Sequence, residues 1–358
     1  MRKFLWSCCL GIAIVSLGLT GCPGPKTGKD DKVSKDGTPR SDVRISGAGA
    51  TFIYPMMSKW ASEYEKAKGV KINYQSIGSG GGIQQMTAQT VAFGCSDGPM
   101  NEEQLKKAKE VNGDVVHIPF VMGADVASYT LKDVKEPLKF SGPILADIYL
   151  GNIKKWNDPA LQKLNPDAPL PDQEIVVVHR ADGSGTTYIW VDYLSKVSPE
   201  WKKKVGVGTS VRWPTGVGQK GNEGVAGMVK RTDGSIGYIE LIYAVQNNIK
   251  YGSVQNKEGA FITPSLESVT AAANNSLTEI PDDLRYSITD APGKDSYPIA
   301  GTSWGVCYTN NPGGQGKDVR DFFHWCTHDG QKLCEALHYS RIPDSLVKRI
   351  EKRLELIK

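Results

Sequence analysis

The sequence predicts an α/β fold with mainly parallel sheets. Three observations carry that reading. Stretches with strand character alternate with stretches of helical character along most of the chain. Three of the strand-to-helix junctions are turns rich in Gly, Ser and Thr. The composition, 39% hydrophobic and 23% charged over 358 residues, is that of a globular chain. That length suffices for one large domain or two of ordinary size.

The N-terminus is not part of that fold. Met1-Arg2-Lys3 precedes an apolar run from Phe4 to Leu19, the layout of a secretory signal peptide. The run is short for a membrane span, which needs about 20 residues. It closes on Leu19-Thr20-Gly21-Cys22, similar to a bacterial lipobox, so residues 1–21 are expected to leave and Cys22 to carry a lipid. Residues 22–42 are dominated by Pro, Gly, Lys and Asp and predict a flexible tether. The segment 1–21 holds two basic residues and no acid, so its loss takes the net charge from +4 to +2. A charge that small excludes a strongly basic nucleic-acid binder.

From Val43 onward the elements follow in order. Val43–Ser46 reads as a strand, Tyr54–Lys66 as a helix with Pro55 in its first turn, and Val70–Ser76 as an alternating strand. Ile83–Gln89 is helical; Val115–Pro119 and Val126–Leu131 are strand-like. Ile175–His179 reads as a buried strand, Gly183–Lys196 as turn and helix, and Ile236–Glu240 as a short strand. Val319–Leu337 reads as one helix and Leu346–Ile357 as an amphipathic last one. The apolar stripe of the last helix (Leu346, Val347, Ile350, Leu354, Ile357) fits docking on the body better than lying on a membrane.

Beyond Cys8, Cys9 and Cys22, four cysteines remain: Cys95, Cys307, Cys326 and Cys334. Cys326 and Cys334 would stand about 12 Å apart along one helix, too far to pair there. Cys307 could pair with either, or all could be small buried apolar groups.

The three Gly-rich turns are Ile45–Phe52, Ile77–Gly82 and Arg180–Thr187. A helix N-terminus offers unpaired N–H groups at the positive end of its dipole. Glycine lets that backbone approach an anion, and Ser and Thr hydroxyls add donors. Three such turns brought together would hold an oxyanion with little formal positive charge. The enzyme motifs built on similar turns are missing. There is no third glycine of a dinucleotide fingerprint, no Lys of a phosphate-cradling NTPase loop and no Gly-x-Ser-x-Gly elbow. His324 and His328 lie four apart, but no HExxH zinc pattern surrounds them.

These stretches together resemble the substrate-binding proteins of bacterial phosphate ABC transporters. The resemblance runs over 44–350 through GAGATF (47–52), INYQSIGSGGGIQQ (72–85), FGCSDGPM (93–100), ILADIYLGNIKKWNDP (144–159), LNPDAPLP (164–171) and VVHRADGSGTT (177–187). It continues through the Gly-rich stretch around Asn222, GSIGYIE (234–240) and IPDS (342–345). It implies the two-lobed type II periplasmic-binding-protein fold, crossed near Val121 and Ile299. Lobe 1 would be 43–121 with 299–358, and lobe 2 would be 122–298. The ligand would lie between them on Thr51, Phe52, Ser79 and Asp97 from one lobe and on Arg180, Ser184, Gly185 and Thr186 from the other. It further implies a monomer at the periplasm or cell surface that binds inorganic phosphate without turnover, cofactor or metal. The partners would be the permease and ATPase subunits of an importer, and the membrane through the lipid on Cys22. Cys95 and His179 depart from the family's usual residues, and 109–116 looks like a lengthened loop.

An acid in an anion site fits only a ligand that brings a proton. Asp97 can accept the O–H of monobasic or dibasic phosphate, whereas sulfate would oppose two acceptors in a dry site. A site built to pair a hydroxyl rejects an analogue lacking it by about 10⁴–10⁵. Arg180 offers a planar fork to tetrahedral oxyanions. Asp182 either orients that fork or serves as a turn residue before Gly183. Two other readings remain: a secreted phosphatase using the same cleft, and a phosphate sensor or adhesin.

Overall fold

The computed structural model describes residues 43–358. The expected signal segment (1–21), the expected lipid site at Cys22 and the expected tether (22–42) lie outside the described residues. Twelve strands are described: β1 (Arg44–Gly49), β2 (Lys71–Ser76), β3 (Phe93–Ser96), β4 (Val115–Thr130), β5 (Lys139–Phe140), β6 (Val176–Arg180), β7 (Val217–Gln219), β8 (Ser235–Glu240), β9 (Lys250–Tyr251), β10 (Ser253–Gln255), β11 (Phe261–Ile262) and β12 (Ala300–Tyr308). The α-helices are α1 (Tyr54–Lys68), α2 (Ser79–Thr87), α3 (Glu102–Asn112), α4 (Gly142–Leu150), α5 (Pro159–Leu164), α6 (Gly185–Val197), α7 (Pro199–Lys204), α8 (Gly221–Arg231), α9 (Leu241–Asn247), α10 (Leu266–Asn275), α11 (Gly316–Thr327) and α12 (Asp344–Leu354).

The main sheet runs β2-β1-β3-β12-β4-β8-β6-β7, with β9 also on β4, and β11-β10-β5 forms a small second sheet. Its outer strands pair in parallel, β1 with β2 and β3, and β6 with β7 and β8. The middle is antiparallel, because β4 and β12 run against each other and against their other neighbours. The molecule is a mixed α/β, two-lobed fold whose lobes share β4. That strand pairs β12 over Val115–Ala124 and β8 over Asp125–Thr130.

The sequence divides β4 into two strands at Pro119, but the structure keeps one. Ser303 faces Val121 and Trp304 faces Pro119, so Phe120 is an extra residue in the ladder. A bulge absorbs a residue that cannot donate to the ladder. Residues 109–116 are not a loop: α3 runs to Asn112 and β4 starts at Val115. The α3 sequence is mostly charged and buries Ala108 alone, so apolar periodicity does not reveal it. Its Asn101/Gln104 capping box starts it locally instead. The long helix expected at 319–337 is also divided. It ends at Thr327, His328 leaves helical geometry (φ −123°, ψ −91°), and short 3₁₀ turns carry the chain on. Cys326 and Cys334 therefore do not share one helix; both are buried and free, as are Cys95 and Cys307.

Each lobe closes on its own aromatic core. In the first, Phe120 meets Phe323 edge-on at 4.8 Å and Tyr64 meets Phe322 at 5.0 Å. In the second, Trp190 stacks on Tyr238 at 5.2 Å beside Tyr149. Truncating any such ring costs about 3–5 kcal/mol. The last helix docks as expected, with Leu346, Ile350, Leu354 and the following Ile357 buried. Among the described residues no helix is long and apolar enough to cross a membrane.

Candidate functional site

The three Gly-rich turns meet where the lobes touch. The amide of Gly80 donates to the Gly183 carbonyl at 2.9 Å. A Cβ on Gly80 would lie 3.0 Å from the Gly183 Cα, so only glycine permits this approach without displacement. Gly78 has φ +87° and lies against the Asp182 carboxylate, a second position that demands glycine.

Four helix N-termini converge here, those of α1, α2, α6 and α8. Three have no side-chain cap: Ile53, Gly78 and Lys220 precede α1, α2 and α8 without a capping hydrogen bond. Several of their first-turn N–H groups are taken within the protein, Gly80 by the Gly183 carbonyl, Gly221 by Asp182 and Asn222 by Thr51 Oγ1, and the helix ends add the positive ends of their dipoles. Only α6 is capped, by Ser184, whose Oγ accepts the Thr187 N–H at 3.0 Å.

All eight residues singled out from the sequence fall in this region. Thr51 Oγ1 accepts from the backbone and side-chain nitrogens of Asn222 at 3.1 and 2.8 Å, across the lobes. Asn222 Nδ2 also reaches Thr186 Oγ1 at 3.0 Å. Phe52 is buried, its ring beside Gly123, and its carbonyl accepts from the Tyr339 hydroxyl. Ser79 Oγ accepts the amides of Asp97 and Gly185 at 3.2 and 3.0 Å and points its own proton at Asp97 Oδ2, 3.4 Å away. Ser79 thus joins the start of α2, the end of β3 and the start of α6.

Arg180 is the cation of the site, with 3% of its surface exposed. Its Nε and one Nη donate to the two Asp182 oxygens at 2.8 and 2.5 Å, and its other Nη reaches Thr186 Oγ1 at 3.4 Å. Asp182 also accepts the Gly221 N–H at 3.1 Å. Asp182 therefore orients the fork, which resolves the alternative that the sequence left open. Although burial alone would raise the Asp182 pKa, the Arg180 guanidinium holds it below the ordinary range. Arg180 is raised despite its own burial.

Asp97 is the unusual group. Burial lifts its pKa to about 7, while the Ser303 hydroxyl, Arg180 and the Ser79 hydroxyl pull it down. It stands poised between acceptor and donor near neutrality.

Sequence reasoning missed Ser303 and gave Asn222 no role. Ser303 Oγ donates to Asp97 Oδ1 at 2.7 Å. It lies on β12, a strand buried throughout, where nothing in the sequence marks one hydroxyl as facing an acid. Asn222 was legible only as part of a Gly-rich stretch. His179 stacks on Trp213 at 4.8 Å, and its Nδ1 lies 3.0 Å from the backbone carbonyl of Arg180 rather than at a side chain of the site. His324 and His328 stack on each other elsewhere, and among the described residues no group of three His, Cys, Asp or Glu could hold a metal ion. An open groove of about 870 Å³ lined by Lys106, His117 and Arg353 contains none of the site residues.

The arrangement offers four helix ends, one cation and several hydroxyls for a small oxyanion, with one acid that can take a proton from it.

Residues 34–329 match the model of the PBP superfamily domain. The chain is 47% identical to the phosphate-binding protein PstS of Xylella fastidiosa over 354 residues, covering 96% of this chain and 95% of that one. It is 48% identical to the phosphate-binding protein PstS of Pasteurella multocida, covering 86% and 88%. Its fold is similar to the crystal structure of a phosphate binding protein from Stenotrophomonas maltophilia. That likeness has a TM-score of 0.65 and 18% identity, covering 87% of this chain and 93% of that one.

Proposed function

We propose, since the chain belongs to the PstS family of phosphate-binding proteins, that its cleft captures inorganic phosphate outside the cytoplasm and delivers it to an ABC-type importer. The single observation that carries the ligand is the pairing of uncapped helix N-termini with a buried acid. The helix ends and Arg180 take the ionised oxygens, and Asp97 accepts the O–H that phosphate retains and sulfate lacks.

The residues in this role are Thr51, Phe52, Ser79 and Asp97 on one lobe and Arg180, Ser184, Gly185 and Thr186 on the other. Thr51, Ser79, Ser184 and Thr186 bring hydroxyls. Phe52 brings a backbone amide next to a helix start, and Gly185 brings the start of α6, its own amide resting on Ser79 Oγ. Lobe boundaries near 121 and 299 fit the switch of β4 from β12 to β8 after Ala124. The protein acts as a carrier without turnover, as a monomer held to the membrane by a lipid on Cys22 after removal of 1–21. Binding in this reading closes the lobes, and the permease and ATPase subunits receive the closed form.

Isothermal titration of the mature protein with phosphate and with sulfate at pH 7.5 tests this. One phosphate per chain, with sulfate bound more weakly than phosphate, is the expected result. Equal binding of both anions, or release of phosphate from a chromogenic ester, would remove the carrier reading.

A further inference from the structure

Three carboxyl groups are buried where the lobes cross: Asp97, Asp125 and Glu240, each at most 1% exposed. Asp125 and Glu240 face each other in register on β4 and β8. The three differ in the donors that reach them. Neither carboxylate oxygen of Asp125 has a hydrogen-bond partner, and Glu240 has one oxygen without a partner. Asp97 receives the Ser303 hydroxyl at 2.7 Å on Oδ1 and faces the Ser79 hydroxyl at 3.4 Å on Oδ2. A buried carboxyl without donors keeps its proton, while one given donors can release it.

We propose that Ser303 is the positioning residue that keeps Asp97 an acceptor. It thereby sets the pH at which the cleft ceases to demand a protonated oxyanion and begins to admit a fully ionised one. This rests on the phosphate reading of the cleft. The geometry is specific. Ser303 is fully buried, and its hydroxyl occupies Oδ1. Oδ2 then remains for the ligand's O–H. When Asp97 takes up a proton, Oδ2 becomes a donor, and an anion with no proton of its own finds a partner instead of an opposed acceptor.

No other group near Asp97 changes charge around neutrality. Arg180, on β6, stays cationic, and part of its charge is engaged by Asp182. Asp125 on β4 and Glu240 on β8 are held protonated by burial, well above the ordinary range. Tyr74 on β2, Cys95 on β3, Tyr243 on α9 and Tyr339 are all raised by burial and stay neutral. The local titration is therefore that of Asp97. Among the groups that lower it, the Ser303 hydroxyl leads.

Infrared titration of the ligand-free mature protein tests this directly. The protonated-carboxyl band of Asp97 is assigned by its loss in Asp97→Asn. Its midpoint is expected near pH 7 in the parent protein. In Ser303→Ala it should rise by about one pH unit, as expected for losing one hydrogen bond to a charged group. Ser303→Thr should restore it, and Ser303→Cys, a weaker donor of similar size, should fall between. Competition of sulfate with phosphate should move by the same interval, giving about tenfold stronger sulfate competition at pH 7.5 in Ser303→Ala. An unchanged midpoint in both Ser303→Ala and Ser303→Cys would overturn the proposal. So would a shifted midpoint with sulfate competition unmoved. A midpoint that shifts in a protein taking up no phosphate at any pH would instead remove the phosphate reading and leave the Ser303–Asp97 linkage standing.

Discussion

The cleft wall and the strand crossing beneath it both enclose acids and treat them in opposite ways. At the wall, Asp182 is bound by Nε and one Nη of Arg180, and Asp97 is met by Ser303. At the crossing, Asp125 has no donor at all, and Glu240 uses one oxygen to cap α9 through the Ile242 N–H. The consequence is a graded series of charge. Asp182 is firmly ionised, Asp97 is poised near neutrality, and Asp125 and Glu240 hold their protons. Burial costs every acid; the donors supplied decide which can carry charge. A neutral crossing keeps the field of the site dominated by Arg180 and the helix ends, which suits an anion.

Removing the cation from the wall should have the largest effect. Arg180→Ala leaves Asp182 without its partner and deprives a bound anion of its only fork. Breaking one half of a buried pair costs about 3–5 kcal/mol. Phosphate affinity should fall by about a thousandfold or more in calorimetry. A loss of less than tenfold would show that the helix ends bind alone.

Next in size is the change that makes the wall acid resemble the crossing acids. Asp97→Asn is neutral at every pH. At pH 9, where Asp97 is ionised in the parent, discrimination between phosphate and sulfate should shrink by about a hundredfold, with phosphate affinity changing far less. Unaltered selectivity would mean that Asp97 does not accept a ligand proton.

Asn222 ties the two regions together. Its Nδ2 reaches Thr51 and Thr186 at the wall, and its Oδ1 accepts the Glu240 N–H at the crossing at 2.9 Å. Asn222→Ala removes these bonds in one step. About a tenfold loss of phosphate affinity is expected, together with faster release, since each net bond is worth about 1 kcal/mol. Affinity within twofold of the parent would show that the inter-lobe contact is incidental.

The same contrast explains what could be read before the structure. The wall was legible because its chemistry is local: Gly80, Ser184 and Arg180 sit in short turns whose residue types announce anion binding. The α/β alternation was legible for the same reason, since parallel strands are buried apolar runs between helices. The crossing was not. β12 carries no alternation and no turn signal, β4 hides its continuity behind Pro119, and Ser303 meets Asp97 from 206 positions away. Asp125 and Glu240 are ordinary acids in sequence. Only the antiparallel register of β4 and β8 reveals that they face each other without donors.

The smallest expected effect is also the cleanest test of the crossing. In the folded protein Asp125 has a pKa well above that of an exposed carboxyl. The unfolded chain gives up this proton near pH 4. As pH rises beyond that point, the unfolded state is favoured by ionisation that the folded state resists, so stability is lost with increasing pH. Asp125→Asn removes this contribution. Parent and variant should differ little in urea unfolding at pH 5. Toward pH 8 the variant should gain on the parent by about 1.4 kcal/mol per pH unit for as long as Asp125 keeps its proton in the fold, the cost of its own unpaired amide being the same at every pH. Phosphate affinity should stay within about threefold, because Asp125 makes no hydrogen bond to the wall. A difference in stability independent of pH would show that Asp125 is ionised in the fold. The wall and the crossing would then share one electrostatic design, and the neutrality assigned to the crossing would be lost.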